Sequence, residues 1–488
     1  MIEGYILEIL LILVIFGIST ILFSKAAGTL NPGKVNVISY IYYIFMLQTF
    51  AGTALILLGF DKHYTLGYLL NRDKSCMITE VVVFGIAIFL PAFILLWEKM
   101  FRVNMKKQYQ EYLKKEIECE KEDLIFPYFA LLSIGCIVLL IGLLAKIGYI
   151  PLLKLIHASA DFDFATERTR IGGLYFIHPY LSNIFVLMMV PLLSYVAFAY
   201  MLKTKKIKWT IITIALFISS VIIKTYKFEK SSVVFYFAAF IIMLIYYKGG
   251  IKMIYMIISV AFMAVIIVAF YFHTGFSGSL FDIYNGPLGR TLFTQVGTLA
   301  YCFDLFPTVF GFLGGRSFTP TILRLIGMNS SDYLRSAKLT MAFYGSEKVY
   351  DGSAGVMNAL FAGEAYANWG YKGVIFAVIW VALILSLVVL LIMKLKKTPS
   401  TLALGAVLTI KLGTALEGGF CDFVYSFDLI LTVLFLLAIY YFFEREGKIQ
   451  RYITGISEKV KGQFVYGRKN KKKVKWFDKR RLFSHFCR

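Results

Sequence analysis

Charge is what this sequence has least of. Asp, Glu, Lys and Arg together make up 16% of its 488 residues, where soluble globular chains carry about 25%. An ordinary soluble domain is excluded on that count. Histidine occurs five times, and the six cysteines (Cys76, Cys119, Cys136, Cys302, Cys421 and Cys487) are scattered, without a CxxC pair or a neighbouring histidine. Neither a zinc site nor a disulfide framework fits that spacing. No Gly-rich phosphate loop, metal-ligand cluster or fixed-period repeat is present. The first 23 residues lack a basic leader and a small-residue cleavage site, so they are expected to be a retained first span rather than a signal peptide.

What fills the space is apolar: 59% of the chain is hydrophobic and 17% aromatic. Uncharged runs of roughly 17–25 residues are long enough to cross a bilayer, whereas an outer-membrane barrel would alternate in segments of about ten. Hydropathy places spans near 5–23, 36–60, 78–98, 124–147, 174–201, 209–223, 231–247, 253–272, 373–393, 401–416 and 426–443. The expected fold is an all-α polytopic membrane protein of about 11 spans (10–12) with one large structured outer loop. Its expected divisions are 1–123, three spans and a basic loop; 124–273, five central spans; 274–372, the outer loop; 373–443, three further spans; and 444–488, a basic tail.

Lysines set the orientation. The loops at 99–123, 202–208 and 393–397 carry seven, four and three Lys/Arg, and counting spans puts all three on one face with the tail. Basic loops stay cytoplasmic, which places the N-terminus outside and the C-terminus inside. The tail from Glu444 to Arg488 holds 15 Lys/Arg against 4 Asp/Glu, half of the net charge of +22. Beside a span, such a segment meets anionic lipid headgroups. Without an accompanying motif it does not indicate nucleic acid.

About 100 residues then lie outside between Phe272 and Gly373, too many for a passive connection. Within them "TLFTQVGTLAYCFDLFPTVFGFLGG" (291–315) reads as a re-entrant or interfacial helix pair, interrupted at Asp304 and Pro307. The stretch 327–355 is polar and turn-rich, and reads as an exposed lip or lid.

Cations on the outer face run against the usual bias, so some are expected to meet an anion. Arg168 and Arg170 stand in "HASADFDFATERTRIGG" (157–173), Arg290 follows a span, Arg316 follows "FGFLGG", and Lys224, Lys227 and Lys230 cap a short turn. A guanidinium binds two phosphate oxygens at once. Carboxylates and imidazoles able to move a proton are Asp161, Asp163, Glu167, Glu229, Asp304, Glu364, His178 and His273; at each, capping, packing or local pairing is the plainer alternative. "SAGVMNALFAGEAYANWGYKGVIF" (353–376) spaces small residues for close helix packing, with Glu364 and Asn368 one turn apart and a glycine turn at Gly370. That helix either leads into the ninth span or turns Glu364 and Asn368 toward a sugar cavity. Lys411, inside the tenth span, is a functional candidate because ionisable groups there are costly, with snorkelling the alternative.

Taken in order, "AKIGYIPLL" (145–153), "DFDFATERTR", "ISSVIIKTYKFEKSS", the long outer loop and "NALFAGEAYANWGYKGVIFAVIWVALIL" resemble the bacterial oligosaccharide repeat-unit polymerases, the O-antigen polymerase family. The likeness spans roughly residues 120–395 and rests on the order of loose motifs. It implies a GT-C-like, metal-independent glycosyltransferase needing no cofactor, which moves a glycan from undecaprenyl diphosphate to a new lipid-linked repeat unit. A chain-length-regulating membrane protein is an implied partner. Arg168, Arg170, Arg290 and Glu364 are then the expected catalytic residues, and Arg316, Lys224, Lys227, Lys230, His178, Asn368 and Lys411 the expected substrate-binding ones. Lysines in the 224–232 turn, where many relatives show an arginine, are a departure. An O-antigen ligase is the nearest rival, although such ligases use a histidine in the long outer loop and residues 275–372 hold none. A lipid-linked oligosaccharide flippase is the rival of another class, but the sequence shows no two related halves.

Overall fold

The computed structural model describes residues 5–119, 122–157, 162–273, 278–352 and 354–445. Asp161, the side chain of His273 and the tail beyond Arg445 lie outside the described residues. No strand occurs among those described. The helices that matter are, in chain order, α1 (Ile6–Ala27), α2 (Val37–Leu57), α3 (Arg72–Met100), α4 (Met105–Lys114) and α5 (Glu122–Ile147). There follow α6 (Phe164–Gly172), α7 (Pro179–Thr204), α8 (Ile207–Thr225), α9 (Lys230–Lys248) and α10 (Met253–His273). The last five are α11 (Pro287–Leu305), α12 (Ser336–Tyr344), α13 (Phe361–Lys394), α14 (Pro399–Gly418) and α15 (Phe427–Arg445).

Eleven of them, all but α4, α6, α11 and α12, are long and apolar enough to cross a membrane. Each falls on a span expected from hydropathy, and the protein is an all-α multi-pass membrane protein. Local chemistry fixes several ends. Asn36 opens α2, its side chain accepting from the Ser39 N–H (3.0 Å) while Ser39 answers the Asn36 N–H (2.8 Å). Thr398 and Thr401 make the same reciprocal cap at α14, with Pro399 in the first turn.

Burial and hydropathy run in opposite senses in two of the spans. The least apolar, α14, is the most buried, and the strongly apolar α10 is the least. The reason is the solvent: a helix facing lipid must be apolar all round, whereas one facing helices gains from small residues that admit close approach. Gly413 of α14 is such a point, where a Cβ would lie 2.5 Å from the Tyr40 ring.

The loops segregate by face. On the basic face α4, which the sequence reading left as loop, buries Met105, Tyr109, Tyr112 and Leu113. The buried ammonium of Lys397 closes its C-terminal end, donating to the carbonyl of Lys115 at 2.8 Å. Glu122, at the start of α5, pairs with Lys206 and Lys208 and accepts from the Trp209 ring N–H at 2.5 Å.

The opposite face carries the long loop. Its first half contains one long helix, α11, packed on the C-terminal part of α2 and on α3. Gly52 allows the approach, since a Cβ there would lie 1.9 Å from the Leu292 carbonyl oxygen. Asp304, near the end of α11, is buried and accepts from the N–H groups of Leu70 (2.6 Å) and Asn71 (2.9 Å), from the Ser75 hydroxyl (3.0 Å) and from Tyr344. It holds the long loop to the start of α3. The expected helix pair within 291–315 is thus corrected to one helix and a turn. The turn at 313–315 is bonded to Ala367 and Asn368 of the first part of α13, so the second helix comes from later in the chain.

Gly370 breaks α13 in two at φ 64° and ψ −151°, backbone that essentially only glycine adopts. The sequence reading placed a turn at this residue. Gly370→Val should destabilise the protein by about 1–3 kcal/mol, read as a lower unfolding temperature in detergent. An unchanged temperature would mean that the break is not needed.

Candidate anion-binding cavity on the loop-rich face

The long loop, α6 and the segment between α2 and α3 bound a cavity of about 950 Å³, whose lining includes Tyr64, Tyr68, Arg168, Arg290, Gln295, Tyr301, Tyr344, Glu347, Lys348 and Asn358. Arg290 stands one turn inside α11, whose N-terminus adds the positive end of its peptide dipoles. Arg168 reaches the same space from α6. Its Nε donates to the Lys227 carbonyl (2.8 Å) and a terminal nitrogen to that of Phe228 (3.3 Å). Phe228 has φ 53°, so the guanidinium also holds a strained turn between α8 and α9. Lys230, following that turn, lies over the Tyr271 ring at 3.1 Å and has Arg290 and Arg168 as like-charged neighbours.

Two cations from distant parts of the sequence therefore line the cavity, and Lys230 is a like-charged neighbour of both. Among the described residues none of the three forms an ion pair. Gathering like charges costs energy that an anion would recover. The wall supplies hydroxyls as well. Tyr301 and Tyr344 stack at 3.7 Å, and burial together with Asp304 pushes the Tyr344 hydroxyl well up, keeping it a donor at neutral pH. The Thr294 hydroxyl, also in the lining, is buried and has no hydrogen-bond partner among the described residues. His63, which the sequence reading did not single out, lies beneath Tyr64 and Thr65, stacked on Phe293 and bonded to the Thr65 hydroxyl at 2.8 Å. Burial lowers its pKa to about 4, so it is neutral at pH 7.

The other expected site residues lie elsewhere. Arg170 points away from Arg168 because two residues on a helix are about 200° apart. It forms a two-pronged pair with Glu167 of its own helix (2.6 and 2.8 Å), a carboxylate that Tyr149 also contacts. Arg170, then Tyr149, hold the Glu167 carboxyl below its ordinary value against the opposing effect of burial. Arg316 donates from Nε to the Leu313 carbonyl at 2.9 Å and steadies its own turn. His178 is exposed and stacks on Tyr180 at 5.6 Å without a capping bond. The side chain of Lys227 is exposed, and the turn uses its carbonyl.

Glu364 and Asn368 share a helix face as expected, but that face packs on protein and neither residue lines the tyrosine-rich cavity. Glu364 accepts from the Cys421 N–H at 2.7 Å. Asn368 accepts from Gly315 (3.0 Å) and donates to Ser317 (2.9 Å) and the Glu364 carbonyl (2.8 Å). Lys224 and Lys411 enter a second cavity of 750 Å³, with Asp428 and Arg335. Lys411 pairs with Asp428. Arg335, which the sequence reading passed over, donates to the Asn358 side chain at 3.2 Å, and Asn358 lines the first cavity.

Among the described residues no three His, Cys, Asp or Glu side chains gather to hold a metal ion. Compared with known proteins, the chain matches no family model, no curated protein and no solved structure.

Proposed function

We propose that the protein polymerises lipid-linked oligosaccharide units into a surface polysaccharide, on the outer face of a bacterial inner membrane. The observation that carries the reading is that Arg168 and Arg290 both line a tyrosine-rich cavity built with the long loop, with Lys230 as a like-charged neighbour. In this reading the donor is a glycan on undecaprenyl diphosphate. A hydroxyl of the incoming unit attacks the anomeric carbon, a new C–O bond forms, and the bond from that carbon to the diphosphate oxygen breaks. Negative charge grows on the departing diphosphate, and cations already in place stabilise it without reorganising. The hydroxyl proton passes to a carboxylate, and among the described lining residues that group is Glu347. Glu347 thus replaces Glu364, the candidate from sequence. Tyr64, Tyr68 and Tyr301 offer ring faces and hydroxyls of the kind sugars use. The basic face is cytoplasmic by the same rule that orients its lysines.

The test is complementation of a strain deleted for the gene, with surface glycan separated by length. Deletion should leave a single repeat unit on its acceptor, and the wild-type gene should restore the ladder. If deletion also removes the single-unit band, the lost step is ligation or flipping and the polymerase reading fails.

A further inference from the structure

The long loop leaves the wall of the second cavity at Thr319 and re-enters it at Tyr333. The excursion between them begins with a short helix, Pro320–Leu325, which Gly327 ends at φ 80°. There the Gly327 N–H donates to the Arg324 carbonyl (3.2 Å) and the Met328 N–H to the Leu323 carbonyl (2.8 Å), the two bonds of a glycine-terminated helix end. The Ile326 N–H donates to the Ile322 carbonyl at 3.0 Å. The N–H groups of Ile326, Gly327 and Met328 are thus all taken up within the tip. Leu323 is fully buried. Leu325, about 200° further round the helix, is 80% exposed, and Ile326 after it is 53% exposed. Arg324 between them is exposed and forms no ion pair among the described residues.

An exposed leucine is ordinary on a protein surface. What sets this tip apart is where its helix starts. Phe318, two residues before it, lies against Tyr425 (ring centroids 5.3 Å apart) and Trp369 (6.0 Å). Tyr425 stands just before α15, and Trp369 just before the break in α13. Aromatic residues at the ends of spans mark the level of the lipid headgroups. Beyond them on the same two spans, Phe427 and Ile375 are each 62% exposed on faces turned out of the bundle. A helix of six residues is about 9 Å long, so the tip stays close to the headgroup level. Backbone that enters hydrocarbon must satisfy its own hydrogen bonds, and the tip closes its N–H groups on itself. A cation beside apolar side chains at that level can reach a headgroup phosphate while they face the acyl chains.

We propose that the tip of the Pro320–Leu325 helix is a foot set in the bilayer: Leu325 and Ile326 enter the leaflet on the loop-rich face, and Arg324 meets a phospholipid headgroup. Its partner is the bulk phospholipid surface. Because Thr319 and Tyr333 belong to the wall of the second cavity, the foot holds that rim of the long loop at a fixed height over the membrane. The inference does not depend on the polymerase reading.

The test is fluorescence of the purified full-length protein in phospholipid nanodiscs, with tryptophan placed at single positions and the emission of the parent protein subtracted. Leu325→Trp should lose most of its added emission when the lipid is replaced by one brominated near the top of its acyl chains. Ile326→Trp should lose it too. Ile375→Trp, on α13, is the lipid-facing control and should be quenched. Tyr350→Trp, at a residue of the long loop that is 93% exposed, is the aqueous control and should respond only to iodide in the water. Quenching of both tip positions by bromine, with protection from iodide, supports the foot. Iodide quenching as strong as at Tyr350→Trp, with bromine without effect, overturns it. So does protection from both quenchers, which would mean a protein contact in place of lipid. Arg324→Glu, added to Leu325→Trp, should weaken the bromine quenching, since headgroup phosphates repel a carboxylate; unchanged quenching overturns the part assigned to Arg324. No glycan enters this assay, so its outcome is separate from that of the complementation test.

Discussion

Arg290→Ala should abolish the glycan ladder in the complementation assay, and Arg170→Ala should leave it in place. Loss of one preorganised donor to a developing anion costs about 100- to 1000-fold in rate, enough to reduce a ladder to its first band. Arg290 is exposed to the cavity and carries no ion pair among the described residues. Arg168→Ala should show the same loss with an added structural effect, because its guanidinium also holds the carbonyls of Lys227 and Phe228. Arg168→Lys restores a charge but not the second hydrogen bond, and should recover only part of the activity. Arg170 spends its guanidinium on Glu167, with 47% of its side chain exposed. Removing an exposed pair of that kind changes free energies by about 0–1 kcal/mol, so the ladder should persist. The measurement is band length at matched membrane expression. A ladder that survives Arg290→Ala, or one that vanishes with Arg170→Ala, would place the anion site elsewhere.

The largest effect on stability should come from Asp304→Ala. Four donors converge on this buried carboxylate: two backbone N–H groups at the start of α3, the Ser75 hydroxyl and the Tyr344 hydroxyl. Each buried donor left without an acceptor costs about 1–3 kcal/mol. Water entering the gap recovers part of that, and a net loss of at least about 3 kcal/mol is expected. The apparent unfolding temperature in detergent should fall by roughly 3 °C or more. Asp304→Asn keeps one acceptor oxygen and should fall less, while Tyr344→Phe removes one donor with its acceptor otherwise satisfied and should cost least. Equal falls for the three variants would contradict the convergence on Asp304.

The bundle was legible because its signal is local: a span announces itself as an uncharged run. The break at Gly370 was legible for the same reason. The cavity was not, because Arg168, Lys230 and Arg290 belong to separate segments and only the folded loops bring them together. Spacing also misled where the element type was unknown: Arg168 and Arg170 look like a pair in sequence and diverge once 164–172 is a helix. Glu364 and Asn368 were placed on one face correctly, yet periodicity cannot tell a face that meets a cavity from one that meets residues 313–317 and 421. Asp304 looked like an interruption of an apolar helix, because Leu70, Asn71 and Ser75 lie more than two hundred positions earlier in the chain and Tyr344 lies 40 positions later.

The contrast between α14 and α10 also bears on how the chain enters the membrane. Insertion of a helix from the translocation channel depends on its own transfer free energy, to which a central Lys contributes unfavourably by roughly 2.5–3.5 kcal/mol. α14 carries Lys411 and several Ser and Thr residues, and is the least apolar of the spans. Lipid alone would retain it poorly. What retains it is a slot already shaped by α2, α7 and α9, all synthesised earlier, with Gly405 fitting against Tyr246 and Gly413 against Tyr40. The helix at the centre of the bundle is thus one that must arrive late, once its neighbours are in place to receive it.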